Sequence, residues 1–206
     1  IIDNVRGIAN GTAPFLSSNT LSAEQNANWY LPPTSSTIGF NSSDWSTSTT
    51  LVDWFWKANG SGVSNTVGDI PSTVSANTTA GFSIVSYTGN GTNSTVGHGL
   101  NTAPEVVIVK DRDRATEWPV MAQAANSGNG HLGYLRLNGT YAWGATSILW
   151  NNTAPTSSVF SIGTYDYVNF NNSKYIAYCF HSVAGYSDFD SYTGTGSAGN
   201  SVTGLG

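Results

Sequence analysis

The sequence predicts an all-β protein built from tandem β-sandwich or jelly-roll-like domains, cut as a fragment from a longer repeat array. Three observations predict it. Short apolar runs alternate with polar residues and recur every 8 to 15 residues between Gly- and Asn-rich turns. Helical periodicity is nearly absent. Most telling, the chain repeats itself out of phase. Phe15-Leu16-Ser17-Ser18-Asn19, Pro33-Thr34-Ser35-Ser36 and Leu51-Val52-Asp53-Trp54-Phe55-Trp56 recur in order as Tyr134-Leu135-Arg136-Leu137-Asn138, Pro155-Thr156-Ser157-Ser158 and Tyr175-Ile176-Ala177-Tyr178-Cys179-Phe180. Tyr87-Thr88-Gly89-Asn90-Gly91 with Asn93 to Val96 returns as Tyr192-Thr193-Gly194-Thr195-Gly196 with Asn200 to Val202.

The period sets the division of the chain. Tyr87 and Tyr192 lie 105 residues apart and Trp54 and Tyr178 lie 124 apart, so one insertion near residues 59 to 80 accounts for both spacings. A period of about 100 residues is that of a domain, not of a solenoid turn. The expected division is 1–58 as the C-terminal half of a first repeat, 59–80 as a linker or insertion, 81–187 as a complete second repeat and 188–206 as the start of a third.

Taken in order, a helical turn capped by Ser22 is expected near Ser22 to Asn28. Trp54-Phe55-Trp56 alternates as a core or sheet-contact strand. Residues 57 to 81 are rich in Gly, Ser, Thr and Asn and read as a linker, with Val63, Val67, Ile70 and Val74 as points that could pin it to a sheet. Phe82 to Tyr87 alternates and ends at Asn90-Gly91, where a tight turn needs positive φ. Val106 to Lys110 is a continuous β-branched run, as in a central strand buried on both faces. Further strands are expected at Trp118 to Met121, Tyr134 to Leu137, Val159 to Ile162 and Tyr175 to His181. Ala115 to Asn126 is the best helical window, but Pro119 sits inside it.

Composition narrows the function. Only 9% of residues are charged, yet 12% are aromatic and grouped in runs, which argues against disorder. The net charge is −5 and the seven Lys and Arg are scattered, so nucleic acid is not an expected partner. No apolar run approaches the ~20 residues of a membrane helix, and no signal peptide leads the chain, so no membrane insertion is expected. Cys179 is the single cysteine and reads as a buried inert thiol. Nine Asn-X-Ser/Thr sequons are present, a number that Asn, Ser and Thr abundance yields by chance.

Phe82 to Gly91, then Val96-Gly97-His98-Gly99-Leu100, Ala103-Pro104, Val107 to Lys110, Trp150 to Ser161, Tyr175 to Phe180 and Gly185-Tyr186-Ser187 resemble an uncharacterised tandem-repeat β domain of tailed-bacteriophage virion proteins, of the tail-fibre or fibre-like kind. The resemblance covers nearly all of the complete unit and, more loosely, residues 1 to 58. It implies a structural protein on the virion surface with other virion proteins as partners. Fibre analogy implies a homo-oligomer, a trimer by preference. It brings no catalytic or binding residues. The Asp111-Arg112-Asp113-Arg114 loop and Tyr165-Asp166-Tyr167 depart from the pattern of such units.

Candidate chemistry is sparse. His98, His131 and His181 lie in separate segments, so no zinc site, no other metal site and no cofactor is expected. His98, between two glycines, reads as a hydrogen-bonding turn residue. Asp111, Asp113 and Glu117 are close enough to raise the question of glycoside cleavage, which needs paired carboxyl groups. The interleaved Arg112 and Arg114 favour a solvated ion-pair loop instead, and no catalytic residue is assigned. Asp188 and Asp190 lack the spaced oxygens of a calcium loop. Glycan contact has the better basis, because sugar C–H faces pack on exposed rings while hydroxyls pair with Asn and Asp. Asp44, Trp45, Tyr141, Trp143, Tyr165, Asp166 and Tyr167 fit that description. The expected function is therefore non-enzymatic host-surface contact through weak, multivalent binding of polysaccharide. A capsid cement protein and a polysaccharide-degrading tailspike enzyme are the alternatives.

Overall fold

The structure is a computed structural model and describes residues 1–3, 5–6, 13–27, 30–31, 39–40, 54–199, 201 and 203. The strands are β1 (Ala13–Phe15), β2 (Gln25–Ala27), β3 (Tyr30–Leu31), β4 (Gly39–Phe40), β5 (Val63–Asn65), β6 (Ser72–Asn77), β7 (Phe82–Thr88), β8 (Ser94–Gly97), β9 (Val106–Asp111), β10 (Pro119–Ala122), β11 (Gly133–Arg136), β12 (Gly144–Ala145), β13 (Val159–Ile162) and β14 (Lys174–Phe180). Eight of them form one antiparallel sheet in the order β12-β11-β10-β9-β14-β7-β6-β5. The remaining strands form two-stranded ribbons: β8 with β13, β1 with β2, and β3 with β4. The protein is all-β and sandwich-like, with short helical turns at Asp166–Asn169 and Gly130–Leu132.

Both faces of the large sheet are covered, and strict alternation along its middle strands divides the core in two. On the first face Val85, Tyr87, Val107, Val109, Tyr175, Ala177 and Cys179 meet Val96, Phe160 and Ile162 of the β8–β13 ribbon, with Leu149 and Trp150. On the second face Phe82, Ile84, Ile176 and Tyr178 meet Leu16 and Trp118. The N-terminal segment is thus the cover of the second face. Trp118 is fully buried there and donates its indole N–H to the carbonyls of Ser17 and Thr20, at 3.1 and 3.2 Å.

The expected strands near 82–88, 106–111, 159–162 and 174–180 are observed with boundaries shifted by a residue at most. The β-branched run of β9 lies mid-sheet, and Gly91 has the positive φ of 73° that its turn needs. Three expectations are corrected. Within residues 59–80, expected as a linker or insertion, Val63–Asn65 and Ser72–Asn77 are strands of the large sheet, and the backbone of Ser72 to Asn77 pairs residue for residue with β7. Of the apolar residues noted there, Ile70 and Val74 are buried and Val63 and Val67 are exposed. No helical turn forms at residues 22–27. That stretch carries β2, since Gln25 to Ala27 find ladder partners in Phe15 to Ala13. Finally, Trp54, Phe55 and Trp56 are in no strand and are 80%, 66% and 53% exposed.

Two Asp-x-x-Arg motifs fasten the layers with the same bonding scheme. The Asp3 carboxylate accepts the backbone N–H groups of Val5 and Arg6 at 3.1 and 3.0 Å and the Arg6 Nε–H at 2.6 Å. The Asp111 carboxylate accepts those of Asp113 and Arg114 at 3.0 and 3.1 Å and the Arg114 Nε–H at 2.7 Å. Each arginine then lies 3.5 Å from a tyrosine hydroxyl of β14, Arg6 from Tyr178 and Arg114 from Tyr175. Glu24 ties the first motif to the second loop, accepting from Arg6 at 3.0 Å and from Arg112 at 2.8 and 2.9 Å.

His98 is fully buried and neutral. Its Nε2–H donates to the Thr156 carbonyl at 3.1 Å while Nδ1 accepts from the Leu100 N–H at 3.1 Å, which fixes the tautomer. It pins the loop after β8 to the loop before β13, the hydrogen-bonding role expected of it. Burial, outweighing the bond to Thr156, lowers its pKa from 6.5 to about 4.

Three outcomes follow. Asp111→Ala removes the acceptor of four donors, including the buried Ser173 hydroxyl at 2.8 Å, and should cost about 3–5 kcal/mol in urea unfolding. Asp166→Ala, whose carboxylate is 59% exposed, should cost under about 1 kcal/mol. Because the unfolded chain binds a proton that native His98 refuses, stability should be full above pH 6.5 and fall by about 3 kcal/mol as pH drops through 4. In His98→Gln, chemical denaturation across that window should show this component of the slope gone.

Candidate functional site

β10 and β11 carry the surface richest in the chemistry expected of a glycan contact. In β11, Tyr134 and Arg136 point to the same side, as residues two apart in a strand must. Tyr134 packs against the first core, and its hydroxyl accepts an Arg136 Nη2–H at 2.7 Å. The Arg136 guanidinium then lies over two rings, 5.2 Å from the centroid of Tyr134 and 4.3 Å from that of Tyr141. Tyr141 itself is 67% exposed, a ring held flat by a cation and open on its other side.

Polar groups border this stack. Glu117, in the loop before β10, accepts from the Asn138 amide at 2.8 Å and approaches the Arg136 Nε to 3.9 Å. That buried Nε–H has no hydrogen-bond acceptor. On the neighbouring loop Tyr165 and Tyr167 meet edge to face with centroids 4.7 Å apart. Burial, then the neighbouring Tyr165, raise the Tyr167 pKa, and Tyr165 packs against the same core as Tyr134.

The expected glycan residues therefore divide. Tyr141 joins the Arg136 stack, while Tyr165 and Tyr167 form a ring pair whose Tyr165 packs, like Tyr134, against the first core. Trp143 packs over β11: its ring lies 2.4 Å from where a Cβ at Gly133 would stand, and its indole N–H donates to the Gly130 carbonyl at 3.4 Å. Only glycine fits at 133, because the Gly144 carbonyl oxygen also lies 2.2 Å from that point; Trp150 donates to the Gly133 carbonyl at 2.9 Å. Asp166 is taken by Arg114, which bonds its carboxylate at 3.3 Å and its carbonyl at 2.5 Å. Asp44 and Trp45 lie outside the described residues. Tyr134 and Arg136 were not singled out from sequence, although their i, i+2 spacing in an expected strand placed them on one face.

The carboxylates near residue 111 do not form a solvated loop. Asp111 is fully buried, whereas Asp113 is exposed and caps the Lys174 N–H at 2.8 Å. Glu117 faces away toward Asn138. Lys110 fills the interior of this loop, donating to the carbonyls of Asp111 and Arg114 and to the Thr116 hydroxyl at 2.7, 3.0 and 3.4 Å. Burial lowers its pKa to about 8. Cys179 is buried, and burial pushes its thiol up to about 12, so it presents no thiolate nucleophile. Among the described residues no His, Cys, Asp and Glu cluster could hold a metal ion. A shallow groove of about 240 Å³ beside β5, lined by Asn59, Ser61, Ser64 and Asn65, carries no aromatic side chain. It lacks the ring surface that the β11 cluster has.

Fold and surface together define a sandwich-like all-β domain with an exposed tyrosine–arginine cluster. The chain belongs to the family described as Domain of unknown function (DUF7483), whose model matches residues 1–205. No curated protein and no solved structure matches the chain.

Proposed function

We propose that this chain is a non-enzymatic structural module of a virion surface, tail-fibre or fibre-like, that contacts host polysaccharide through the Tyr134–Arg136–Tyr141 and Tyr165–Tyr167 cluster. The observation that carries the contact is Tyr141: a ring two-thirds exposed, backed by a guanidinium 4.3 Å away and bordered by Glu117 and Asn138. A sugar stacks its C–H face on such a ring and exchanges hydroxyl hydrogen bonds with the adjacent amide, carboxylate and guanidinium. The virion placement rests on the resemblance of Phe82 to Gly91 and Trp150 to Ser161 described above. Recurrence of the Tyr87 to Gly91 string at Tyr192 to Gly196 supports membership of a tandem array. The cluster is small and open, so each copy binds weakly and several copies on one particle add through effective concentration.

Non-catalytic contact is favoured over glycoside cleavage because the carboxylates are engaged: Asp111 by Arg114, Asp166 by Arg114 and Glu117 by Asn138. A capsid cement would use a different, protein-facing surface and leave the tyrosine cluster without a role. Screening the folded chain on an array of bacterial surface polysaccharides, followed by calorimetric titration of the hits, should find weak binders. Tyr141→Ala and Tyr167→Ala should each weaken them about three- to tenfold at unchanged thermal stability. Arg136→Ala should weaken them more. Binding that survives all three substitutions would remove this cluster as the site, and release of reducing ends from a bound polysaccharide would restore the enzyme reading.

A further inference from the structure

The outermost strand of the large sheet extends past the layer that covers its neighbour. Val63 of β5 stands directly opposite Val74 of β6, so both side chains lie on the first face. The loop after β8 comes down on Val74 and Ala76, and a Cβ at Gly99 would lie 2.7 Å from the Val74 Cγ1 and 3.1 Å from the Ala76 Cβ. Gly99 also has a φ of +71°, so the close approach needs glycine on both counts. Val74 is buried under this loop, whereas Val63, one strand further out, is 67% exposed. The step between them is the groove of about 240 Å³.

Its lining is half apolar and half polar, and wholly uncharged. Val63, Val74, Ala76 and Gly99 form the apolar half, and Asn59, Ser61, Ser64 and Asn65 the polar one. The fold uses little of the polar half. Asn59 is held by its backbone N–H, which donates to the Ser75 hydroxyl at 3.0 Å, and Asn65 by its amide oxygen, which accepts the Val67 N–H at 2.9 Å. The Asn59 amide, the Ser61 hydroxyl and the Asn65 NH2 are left to a ligand. At ~30 Å³ per water the groove holds about eight waters, below the ~300–1,000 Å³ of sites for drug-sized ligands. That is room for one sugar ring and too little for a nucleotide. No ring lines the groove, so a flat C–H face has nothing to stack on, and the aliphatic half suits one small apolar projection instead. An added peptide strand is disfavoured, because β5 has only three residues and offers few ladder bonds.

We propose that this groove binds a single neutral sugar unit bearing a methyl group, from a deoxy or an N-acetyl sugar. The methyl packs on Val74 and Ala76, and the hydroxyls pair with Asn59, Ser61 and Asn65. The absence of charge in the lining selects against uronic acids and amino sugars, whose charge would find no partner there. The site is separate from the Tyr141 cluster, since β10, β9, β14, β7 and β6 lie between β11 and β5.

The experiment is saturation-transfer NMR with titration on the intact chain. The probes are L-fucose, L-rhamnose and N-acetyl-D-glucosamine, each set against the counterpart that lacks the methyl: L-galactose, L-mannose and D-glucose. At least one probe should bind weakly, with its methyl protons the most saturated, and about threefold or more tighter than its counterpart. Fucose or rhamnose binding identifies a deoxy sugar, and N-acetylglucosamine binding an acetamido sugar. Val63→Trp, at an exposed position, should block the groove and abolish the signal, and Asn59→Ala should weaken binding about three- to tenfold. Thermal unfolding of both variants should match the wild type, which separates a lost site from a lost fold. Tyr141→Ala should leave the signal unchanged. Silence from all six sugars, equal binding of each probe and its counterpart, binding that survives Val63→Trp, or loss on Tyr141→Ala would each overturn the inference. Polysaccharide binding at Tyr141 stands or falls separately, because Val63→Trp should not alter it.

Discussion

The placement of β14 between β9 and β7 is the constraint on which the rest of the structure depends. From Tyr175 to Phe180 the strand is hydrogen-bonded on both edges, so its side chains have only the two faces of the sheet to occupy. Tyr175, Ala177 and Cys179 enter one core and Ile176, Tyr178 and Phe180 the other. A strand buried this completely tolerates polar atoms only where they are bonded. The two tyrosine hydroxyls meet that demand in opposite directions. Tyr175 donates to the Asp166 carbonyl at 2.6 Å and accepts the Phe170 N–H at 2.7 Å, while Tyr178 donates to the Asp3 carboxylate at 2.7 Å. Each covering layer is therefore docked to the same strand through a phenol and an Asp-x-x-Arg turn.

This arrangement explains how a chain with so few charges uses them. All four arginines lie within 4 Å of a carboxylate: Arg6 at Asp3 and Glu24, Arg112 at Glu24, Arg114 at Asp111 and Asp166, and Arg136 at Glu117. Exposed pairs of this kind contribute little. The pairs at Asp3 and Asp111 are different, because these carboxylates are buried and also accept backbone N–H groups, so their loss would leave several donors without partners. Lys110 acts by the same logic without a counter-ion at its ammonium. Three oxygens of its own loop surround it, and the loop is closed around the charge. Charge here is spent on fixing turns against the sheet, and solubility is left to hydroxyls and amides.

Where local pattern and burial agree, the strands are legible in the sequence. β7, β9, β13 and β14 announce themselves by β-branched and aromatic alternation. β5 and β6 were hidden because Ser, Thr and Asn dominate them, and a strand near a sheet edge needs few apolar side chains when its ladder bonds are made. Trp54 to Trp56 misleads in the opposite sense, since its alternation is that of a core strand while its rings face solvent. Asp111 was hidden by its neighbours: alternating Asp and Arg imitate a solvated loop, and only comparison of Asp3 to Arg6 with Asp111 to Arg114 reveals a repeated turn. At the candidate site, Tyr141, Tyr165 and Tyr167 were visible as ring-bearing turns. Arg136, which holds Tyr141 in place, was not, because its partner rings come from its own strand and from the turn beyond it.

The two exposed aromatic surfaces differ in a way that bears on their roles. Around Phe180 the rings of Trp56, Phe82 and Phe189 lie with centroids at 4.9 to 6.5 Å, and Phe82 and Phe180 continue into the second core. Such a surface gains most by being covered completely, as a second polypeptide does. Around Tyr141 the rings meet charge, since the Arg136 guanidinium lies over Tyr134 and Tyr141 and approaches Glu117 to 3.9 Å. That surface keeps its hydration and offers hydrogen bonds at the edges of each ring, the combination a sugar face can use without displacing the whole water layer. The exposed aromatic surface of the domain is thus divided between a ring set backed by the apolar second core and a ring set bordered by charge, two chemistries that a single kind of contact would not satisfy equally.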